Sequence, residues 1–142
     1  MKEVSFFVDI DPQPWQRPKT RVINGFVKHY SPVKTKKYEN QIADAYMQIK
    51  DAPFFEKDIP LRVAIHFDMP VPKSVSERKR NLMCTGVIEH TKRPDVDNMG
   101  KAVLDALNGI AWADDAQITA LNLRKRYATH GLIWVHIVED CD

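Results

Sequence analysis

The chain has 142 residues, of which 44% are hydrophobic and 28% are charged, and its formal net charge is +2. This length and composition are typical of one folded globular domain and exclude a disordered or fibrous chain. No apolar run approaches the ~18 residues that a membrane span needs, and the N-terminus does not resemble a signal peptide. We therefore expect a single domain over residues 1–142, located in the cytoplasm, with no membrane partner.

The first thirty residues predict a strand, a fixed loop and a hairpin. Residues 4–10 are rich in β-branched and aromatic side chains, as strands are. The proline-rich segment 12–21 predicts an ordered loop, because proline lowers the entropy cost of holding one shape. Asn24-Gly25 predicts a tight turn between two strands within residues 22–30.

The central residues predict a helix and a strand. Periodic apolar positions indicate a helix that opens at Ser31-Pro32 and runs to about Lys50. Its first turn is rich in lysine, although the helix dipole favours acids there. Residues 60–69 alternate as a strand with one apolar face, and the polar segment 73–85 predicts either a short helix or a loop.

A further helix carries one apolar and one polar face, with Asp97 as the expected N-cap and Gly109 as a left-handed C-terminal cap. Asp97, Lys101 and Asp105 follow one another at intervals of four residues on the polar face. The apolar face comprises Met99, Ala102, Val103, Ala106, Leu107 and Ile110. Strands near 117–127 and 132–138 complete an α+β fold, with a mixed sheet and helices mainly on one face.

The basic residues are unevenly distributed. Residues 12–38 contain seven basic side chains and no acid, namely Arg17, Lys19, Arg21, Lys28, Lys34, Lys36 and Lys37. A second group comprises Lys73, Arg78, Lys79, Arg80, Lys92 and Arg93, and a third comprises Arg124, Lys125 and Arg126. Such groups beside acidic residues favour a polyphosphate partner, although each alone is also typical of a solvated surface.

The segment Arg93-Pro94-Asp95-Val96-Asp97-Asn98-Met99-Gly100-Lys101, with Asp114-Asp115 further on, is suited to divalent-metal chemistry on phosphate. Mg²⁺ prefers oxygen ligands and is usually held by one or two carboxylates together with substrate phosphates. Close carboxylates repel one another unless a cation compensates them. Singly, each residue has an ordinary explanation as a helix cap, an exposed lysine or a turn residue.

The cysteines and histidines indicate neither a disulfide framework nor a zinc site. Cys84 and Cys141 form no CxxC pair, and the five histidines have no zinc-binding spacing. The chain also lacks a nucleotide-binding strand–helix repeat, and we expect no organic cofactor.

Several segments together resemble the RusA family of Holliday junction resolvases. The similar segments are Pro14-x-x-Arg17-Pro18-Lys19-x-Arg21, Tyr30-Ser31-Pro32-x-x-Thr35-x-x-Tyr38-Glu39, Arg93-Pro94-Asp95-Val96-Asp97-Asn98-Met99-x-Lys101, Asp105-Ala106-Leu107-Asn108-Gly109-Ile110 and Trp112-x-Asp114-Asp115-x-Gln117-Ile118. They span nearly the whole chain. Met99 stands where a leucine is usual, which is a conservative departure.

The resemblance implies an endodeoxyribonuclease that depends on Mg²⁺ or Mn²⁺, acts as a homodimer and makes paired nicks in a four-way DNA junction. Asp95, Asp97 and Asp115 would bind the metal, and Lys101 would be the catalytic lysine. Independently of the family, the two-fold symmetry of a junction favours a dimeric enzyme.

The basic loop supplies the expected DNA contacts. Arg17, Lys19 and Arg21 are candidates for binding phosphates, together with Arg93 beside the aspartates. Trp15 is expected either to stack or wedge against DNA or to anchor the loop to the core. The alternative functions are a catalytically silent protein that binds DNA junctions and a sugar-nucleotide transferase that uses DxD to hold Mn²⁺.

Overall fold

The computed structural model describes residues 2–30 and 32–140, so the predicted helix start at Ser31 lies outside the described residues. The strands are β1 Glu3–Val8, β2 Lys19–Ile23, β3 Phe26–Tyr30, β4 Leu61–Pro70, β5 Ile118–Ala128 and β6 Leu132–Glu139. The helices are α1 Val33–Met47, α2 Glu77–Cys84 and α3 Val96–Leu107, with a short 3₁₀ helix at Asp115–Gln117. No helix in the described residues is long and apolar enough to cross a membrane.

The main sheet has four strands in the order β1-β6-β4-β5. β6 pairs antiparallel with both β1 and β4, whereas β4 and β5 are parallel. A parallel pair requires a crossover connection, and the segment that contains α2 and α3 provides it. The expected mixed sheet of an α+β domain is therefore confirmed.

One face of this sheet forms the core with α1 and α3. Leu61, Val63 and Ile65 alternate along β4 and are completely buried, as the sequence pattern predicts for a half-buried strand. They belong to one apolar cluster with Tyr38 and Ile42 of α1 and with apolar side chains of α3. The helices therefore cover one face, while the side chains of the other face, including Phe7, point to solvent.

The predicted hairpin forms a separate two-stranded sheet from β2 and β3, but its expected start at residue 22 is wrong, because Lys19 to Arg21, which were expected in the loop, pair with β3. Asn24 and Gly25 have φ angles of 52° and 78°, the left-handed pair that a type I′ turn requires. For segment 73–85 the sequence predicted either a short helix or a loop, and the structure contains α2 there. The N-cap of α2 is Ser76, whose side chain accepts a hydrogen bond from the Lys79 N–H at 3.2 Å.

The expected N-cap of α3 is wrong by two residues. The helix begins at Val96, with Asp95 in the cap position, and the Met99 N–H donates to the Asp95 carbonyl at 3.1 Å. Asp97 therefore lies inside the first turn, where its charge complements the helix dipole. Asp95 and Asp97 are also two residues apart, a spacing that would place both side chains on one side of an extended strand, but the start of the helix between them excludes that arrangement.

Candidate metal and nucleic-acid site

The N-terminal half of α3 lies directly against β5 at a glycine. A Cβ atom on Gly100 would stand 2.5 Å from Cδ1 of Leu123 on β5, so a larger residue would require the Leu123 side chain to move. Asp97 and Lys101 lie on the exposed side of the same helix. The apolar face of α3 is buried as predicted, since Met99, Ala102, Val103, Ala106 and Leu107 are all in the core.

A lysine of β5 holds the segment that leads into α3. The Lys125 ammonium donates to the carbonyls of Lys92 and Pro94 at 2.6 and 3.0 Å. Both carbonyls lie just ahead of Asp95, so the lysine fixes the chain where the acidic motif begins. The Lys125 ammonium is thus engaged in hydrogen bonds with the protein backbone. The clustering of basic residues in the sequence did not indicate this role.

Asp95 and Asp97 are both exposed at the start of α3. The Asp95 side chain makes no capping hydrogen bond, although Asp95 occupies the N-cap position. An N-cap aspartate normally uses its carboxylate to satisfy the first N–H groups of its helix. The Asp95 carboxylate is therefore not committed to capping α3.

Asp114 and Asp115 differ in what their carboxylates contact. Asp114 caps the short 3₁₀ helix, because its Oδ1 accepts from the Ala116 N–H at 3.1 Å. Asp115 Oδ1 instead accepts from the indole N–H of Trp112 at 2.7 Å. Trp112 is completely buried, so it holds the Asp115 carboxylate in a fixed place.

Lys101 of α3 and Asp115 lie within electrostatic reach of each other. Burial raises the pKa of Asp115 above its usual range, and the Trp112 N–H opposes that shift. Smaller effects come from Asp105 and Asp114, which raise the pKa, and from Lys101, which lowers it. One residue of each predicted stretch, Lys101 from residues 95–101 and Asp115 from residues 114–115, therefore senses the charge of the other.

Two acids next to these residues were not among the predicted site residues. Burial raises the pKa of Glu39 on α1, and the charge of Asp105 raises it further. Asp105 therefore acts on both Glu39 and Asp115, and it links α1 to the segment after α3. The sequence contained a signal for Asp105, because it follows Asp97 and Lys101 on the polar face of α3, and Glu39 ends one of the segments that carry the family resemblance.

The proline-rich loop is ordered by contacts with both long helices, as the sequence predicts. The Gln13 N–H donates to the Tyr38 hydroxyl oxygen at 3.0 Å, and the Trp15 N–H donates to the Asn98 carbonyl at 2.9 Å. The Thr35 hydroxyl donates to the Gln16 side chain at 3.3 Å. Burial raises the pKa of the Tyr38 phenol to about 12, so Tyr38 remains neutral at physiological pH.

The sequence left two roles open for Trp15, stacking against DNA and anchoring the loop, and in the structure it anchors the loop. Its half-buried ring packs against the hydrophobic core. The Lys101 ammonium nitrogen lies 4.4 Å from the centre of the same ring. Such a cation–π contact restrains a lysine that is otherwise exposed.

The predicted DNA-binding side chains lie on exposed surface. Arg17 belongs to the ordered loop, Lys19 and Arg21 lie on β2, and Arg93 directly precedes the acidic motif. The third basic group is divided by the strand, because neighbouring residues of β5 point to opposite faces. Lys125 faces the helices, whereas Arg126 faces outward and pairs with Asp68 at 2.8 Å.

The donor set suits a hard cation only in part. Asp95, Asp97 and Asp115 supply the oxygen ligands that Mg²⁺ prefers. Within residues 2–30 and 32–140, however, no three acidic, histidine or cysteine side chains lie close enough to enclose a metal. An open arrangement of this kind fits a cation whose remaining ligands are waters and substrate phosphates.

Comparisons with known proteins place the chain among nucleases. The sequence profile of the endodeoxyribonuclease RusA family matches residues 9–138. A protein of Bacillus subtilis (strain 168), described as uncharacterized protein YqaN, is 30% identical over 136 residues, or 96% of each chain. The crossover junction endodeoxyribonuclease rusA of Lactococcus phage r1t is 26% identical over 138 residues, or 96% of this chain and 97% of the phage protein.

Proposed function

The chain belongs to the RusA family of endodeoxyribonucleases, and from this membership we propose that it resolves four-way DNA junctions by paired, Mg²⁺-dependent nicks. The observation that supports the proposal is that the Lys101 charge lowers the pKa of Asp115, so that one residue of each predicted stretch lies within electrostatic reach of the other. The reaction is hydrolysis of one phosphodiester bond in each of two strands.

Asp95, Asp97 and Asp115 are the proposed metal ligands. Two are exposed at the start of α3, and Trp112 fixes the third by a hydrogen bond. When bound there, Mg²⁺, or Mn²⁺ in its place, would activate a water and neutralise the non-bridging phosphate oxygens. Asp114 is not in this set, because its carboxylate caps the 3₁₀ helix.

Lys101 is the proposed catalytic lysine. Its ammonium lies on the exposed side of α3, one helical turn after Asp97, and is restrained by the Trp15 ring. A positive charge held there stabilises the negative charge that develops on the phosphate oxygens during attack. The same ammonium is also placed to orient the attacking water, and the two roles are compatible with this geometry.

The DNA backbone is proposed to lie across Arg17, Lys19, Arg21 and Arg93. All four are exposed, and the first three follow one another from the ordered loop into β2. Their charges attract phosphates without reading sequence, which is suitable for a nuclease that recognises the shape of its substrate.

A homodimer is the proposed active form. Resolution of a junction requires two nicks at positions related by an approximate two-fold axis, and the chain contains one set of the candidate residues. Two copies related by the same symmetry would place one set at each cleavage position.

A second candidate is a protein that binds DNA junctions without cutting them. It is favoured by the absence, in the part of the chain that the structure describes, of three acidic side chains close enough to enclose a cation. The two functions predict the same basic surface and differ only in cleavage.

The test compares a labelled four-way junction with a linear duplex of the same sequence, each with Mg²⁺ or with a chelator. We expect paired nicks that are confined to the junction and require Mg²⁺. Binding to the junction without cleavage in any divalent metal would support the silent binding protein instead. Equal cleavage of both DNAs would contradict junction selectivity.

A further inference from the structure

The β2–β3 hairpin, residues 19–30, exposes several large apolar side chains. Every residue in this range is exposed. Val22, Val27 and Phe26 are 70%, 62% and 73% exposed, and Ile23 and Tyr30 are exposed as well. A two-stranded sheet is only marginally stable alone, and a contiguous exposed apolar patch usually marks a binding surface.

The strand register divides the hairpin into two different faces. One face carries the paired residues Lys19 and Tyr30, then Arg21 and Lys28, then Ile23 and Phe26 next to the turn. Side chains alternate between faces along a strand, so the other face carries Thr20, His29, Val22 and Val27. The first face therefore has a basic base and an apolar, aromatic tip.

The basic part of this face is electrostatically unfavourable without a partner. Arg21 and Lys28 stand directly opposite each other, and like charges in this position destabilise a strand pair. Residues 19–30 contain no acid that could compensate them. The Arg21 guanidinium lies 5.3 Å from the centre of the Tyr30 ring, a contact that leaves its charge in place. A polyanion is the partner that relieves this repulsion.

We propose that this hairpin is an arm that enters the branch point of a DNA junction, with the Phe26 ring between bases and with Arg21 and Lys28 on the adjoining phosphates. The proposal rests on the proposed nuclease function and names the part of the protein that recognises the branch. Insertion of an apolar side chain requires unstacking of bases, and unstacking costs least where pairing is already interrupted. The arm therefore favours a branch point over a continuous duplex.

The first experiment measures unstacking directly. A four-way junction with 2-aminopurine at the branch point is titrated with protein in a chelator, so that no cleavage occurs. The native chain should raise the 2-aminopurine fluorescence. Phe26→Ser should abolish that rise and weaken junction binding by about tenfold, because stacking of one base on an aromatic ring is lost. Phe26→Trp should restore both signals.

Val87→Ser is the matched control. Val87 is 71% exposed, nearly the same as Phe26, but it lies in the loop after α2. Val87→Ser should leave the 2-aminopurine fluorescence rise and the junction affinity unchanged. A loss of affinity with Val87→Ser equal to that with Phe26→Ser would show a general effect of apolar surface and would overturn the arm.

The second experiment separates DNA binding from folding of the hairpin. Lys28→Glu places opposite charges across the strands at the Arg21 position and should strengthen the hairpin. It should nevertheless weaken junction binding and reduce the slope of log affinity against log salt by about 1 to 2, because it removes one phosphate contact and adds a repulsive charge. Unchanged affinity and salt slope for Lys28→Glu would contradict the proposed phosphate contacts of Arg21 and Lys28.

Two further results would contradict insertion of the hairpin at the branch point without contradicting the nuclease function. One is normal junction cleavage by Phe26→Ser with an unchanged 2-aminopurine signal. The other is a change in the sedimentation mass of the free protein with Phe26→Ser, which would show that the tip contacts a second copy of this chain. Failure of the native chain to bind or cut any junction would instead contradict the proposed function.

Discussion

The ammonium of Lys101 lies 4.4 Å from the centre of the Trp15 ring, and the Trp15 backbone N–H donates to the Asn98 carbonyl of the same helix at 2.9 Å. The proline-rich loop is thereby joined at two points to the helix that carries the acidic motif. Arg17, a proposed phosphate contact, follows Trp15 by two residues. It is therefore close in sequence to the residue that restrains Lys101. Loop order and lysine position are therefore linked.

The first prediction is that Trp15→Leu lowers the kcat of junction cleavage. A cation–π contact of this kind stabilises by about 0.5 to 2 kcal/mol, so removal of the ring should reduce kcat by roughly 2- to 30-fold. Leucine retains part of the apolar packing against the core. Single-turnover cleavage of a labelled junction measures the rate, and titration in a chelator measures binding.

Trp15→Phe provides the control, because it retains an aromatic face for the ammonium. It should keep most of the native rate, while Trp15→Leu should lose rate with little change in junction affinity. An equal loss of affinity in both variants, with an unchanged single-turnover rate, would assign Trp15 to DNA contact instead.

Much of the fold was predictable, because local patterns determine it. Alternation identified the buried face of β4 through Leu61 and Val63, and Asn24-Gly25 identified the hairpin turn, since only a few residue types tolerate that backbone. The one-sided apolar pattern of α3 likewise identified its buried face.

Contacts between distant segments were not predictable from local patterns. The Lys125 ammonium binds two carbonyls that precede it by about thirty residues, and no local spacing indicates such a partner. The Trp112 hydrogen bond that fixes Asp115 depends on how the turn after α3 folds. The grouping of Lys101 with Asp115 was expected from chemistry, and in the folded chain the Lys101 charge lowers the pKa of Asp115.

The second prediction concerns this lysine. Lys125→Met should lower the free energy of unfolding by about 1 to 3 kcal/mol, because two backbone carbonyls lose a charged donor. It should also lower junction cleavage, since those carbonyls lie just ahead of Asp95. Urea unfolding measures the stability change, and the junction assay measures the rate.

Arg124→Met is the matched control, because Arg124 is the neighbouring exposed residue and points to the opposite face of the sheet. Its unfolding free energy should stay within about 0.5 kcal/mol of the native value. The pKa of His90 gives a second measurement: burial lowers it first and the Lys125 charge lowers it further, so Lys125→Met should move it upward in an NMR titration. A native unfolding curve for Lys125→Met would contradict the proposed stabilisation by the two Lys125 hydrogen bonds.

The third prediction is that Asp97→Asn abolishes cleavage and leaves junction binding intact or tighter. Asparagine is nearly the same size but lacks the charge that a divalent cation requires, so the rate should fall by about two orders of magnitude or more. Loss of a negative charge beside the DNA favours binding. The same labelled junction measures both quantities. Asp44→Asn changes an exposed aspartate on α1 and should cut at the native rate, whereas retained cleavage in Asp97→Asn would remove Asp97 from the site.

The fourth prediction is that Asp115→Asn stabilises the metal-free protein while it abolishes cleavage. The pKa of Asp115 is raised in the folded state, chiefly by burial, so folding favours the protonated form. At pH 7 the ionised carboxylate therefore opposes folding, and this cost disappears as the pH falls below the ordinary aspartate value of about 4. The gain should be on the order of 0.5 kcal/mol, because solvent screens a half-buried carboxylate.

Thermal unfolding in a chelator at pH 7 and at pH 3 tests this sign. The variant should have the higher Tm at pH 7, and the difference should shrink at pH 3, where the native Asp115 is also neutral. Addition of Mg²⁺ at pH 7 should then raise the Tm of the native chain more than that of the variant, since a ligand stabilises only the state that binds it. A variant that is less stable at pH 7 would show that the Trp112 hydrogen bond outweighs the burial of the charge, and an equal response to Mg²⁺ would exclude Asp115 as a ligand.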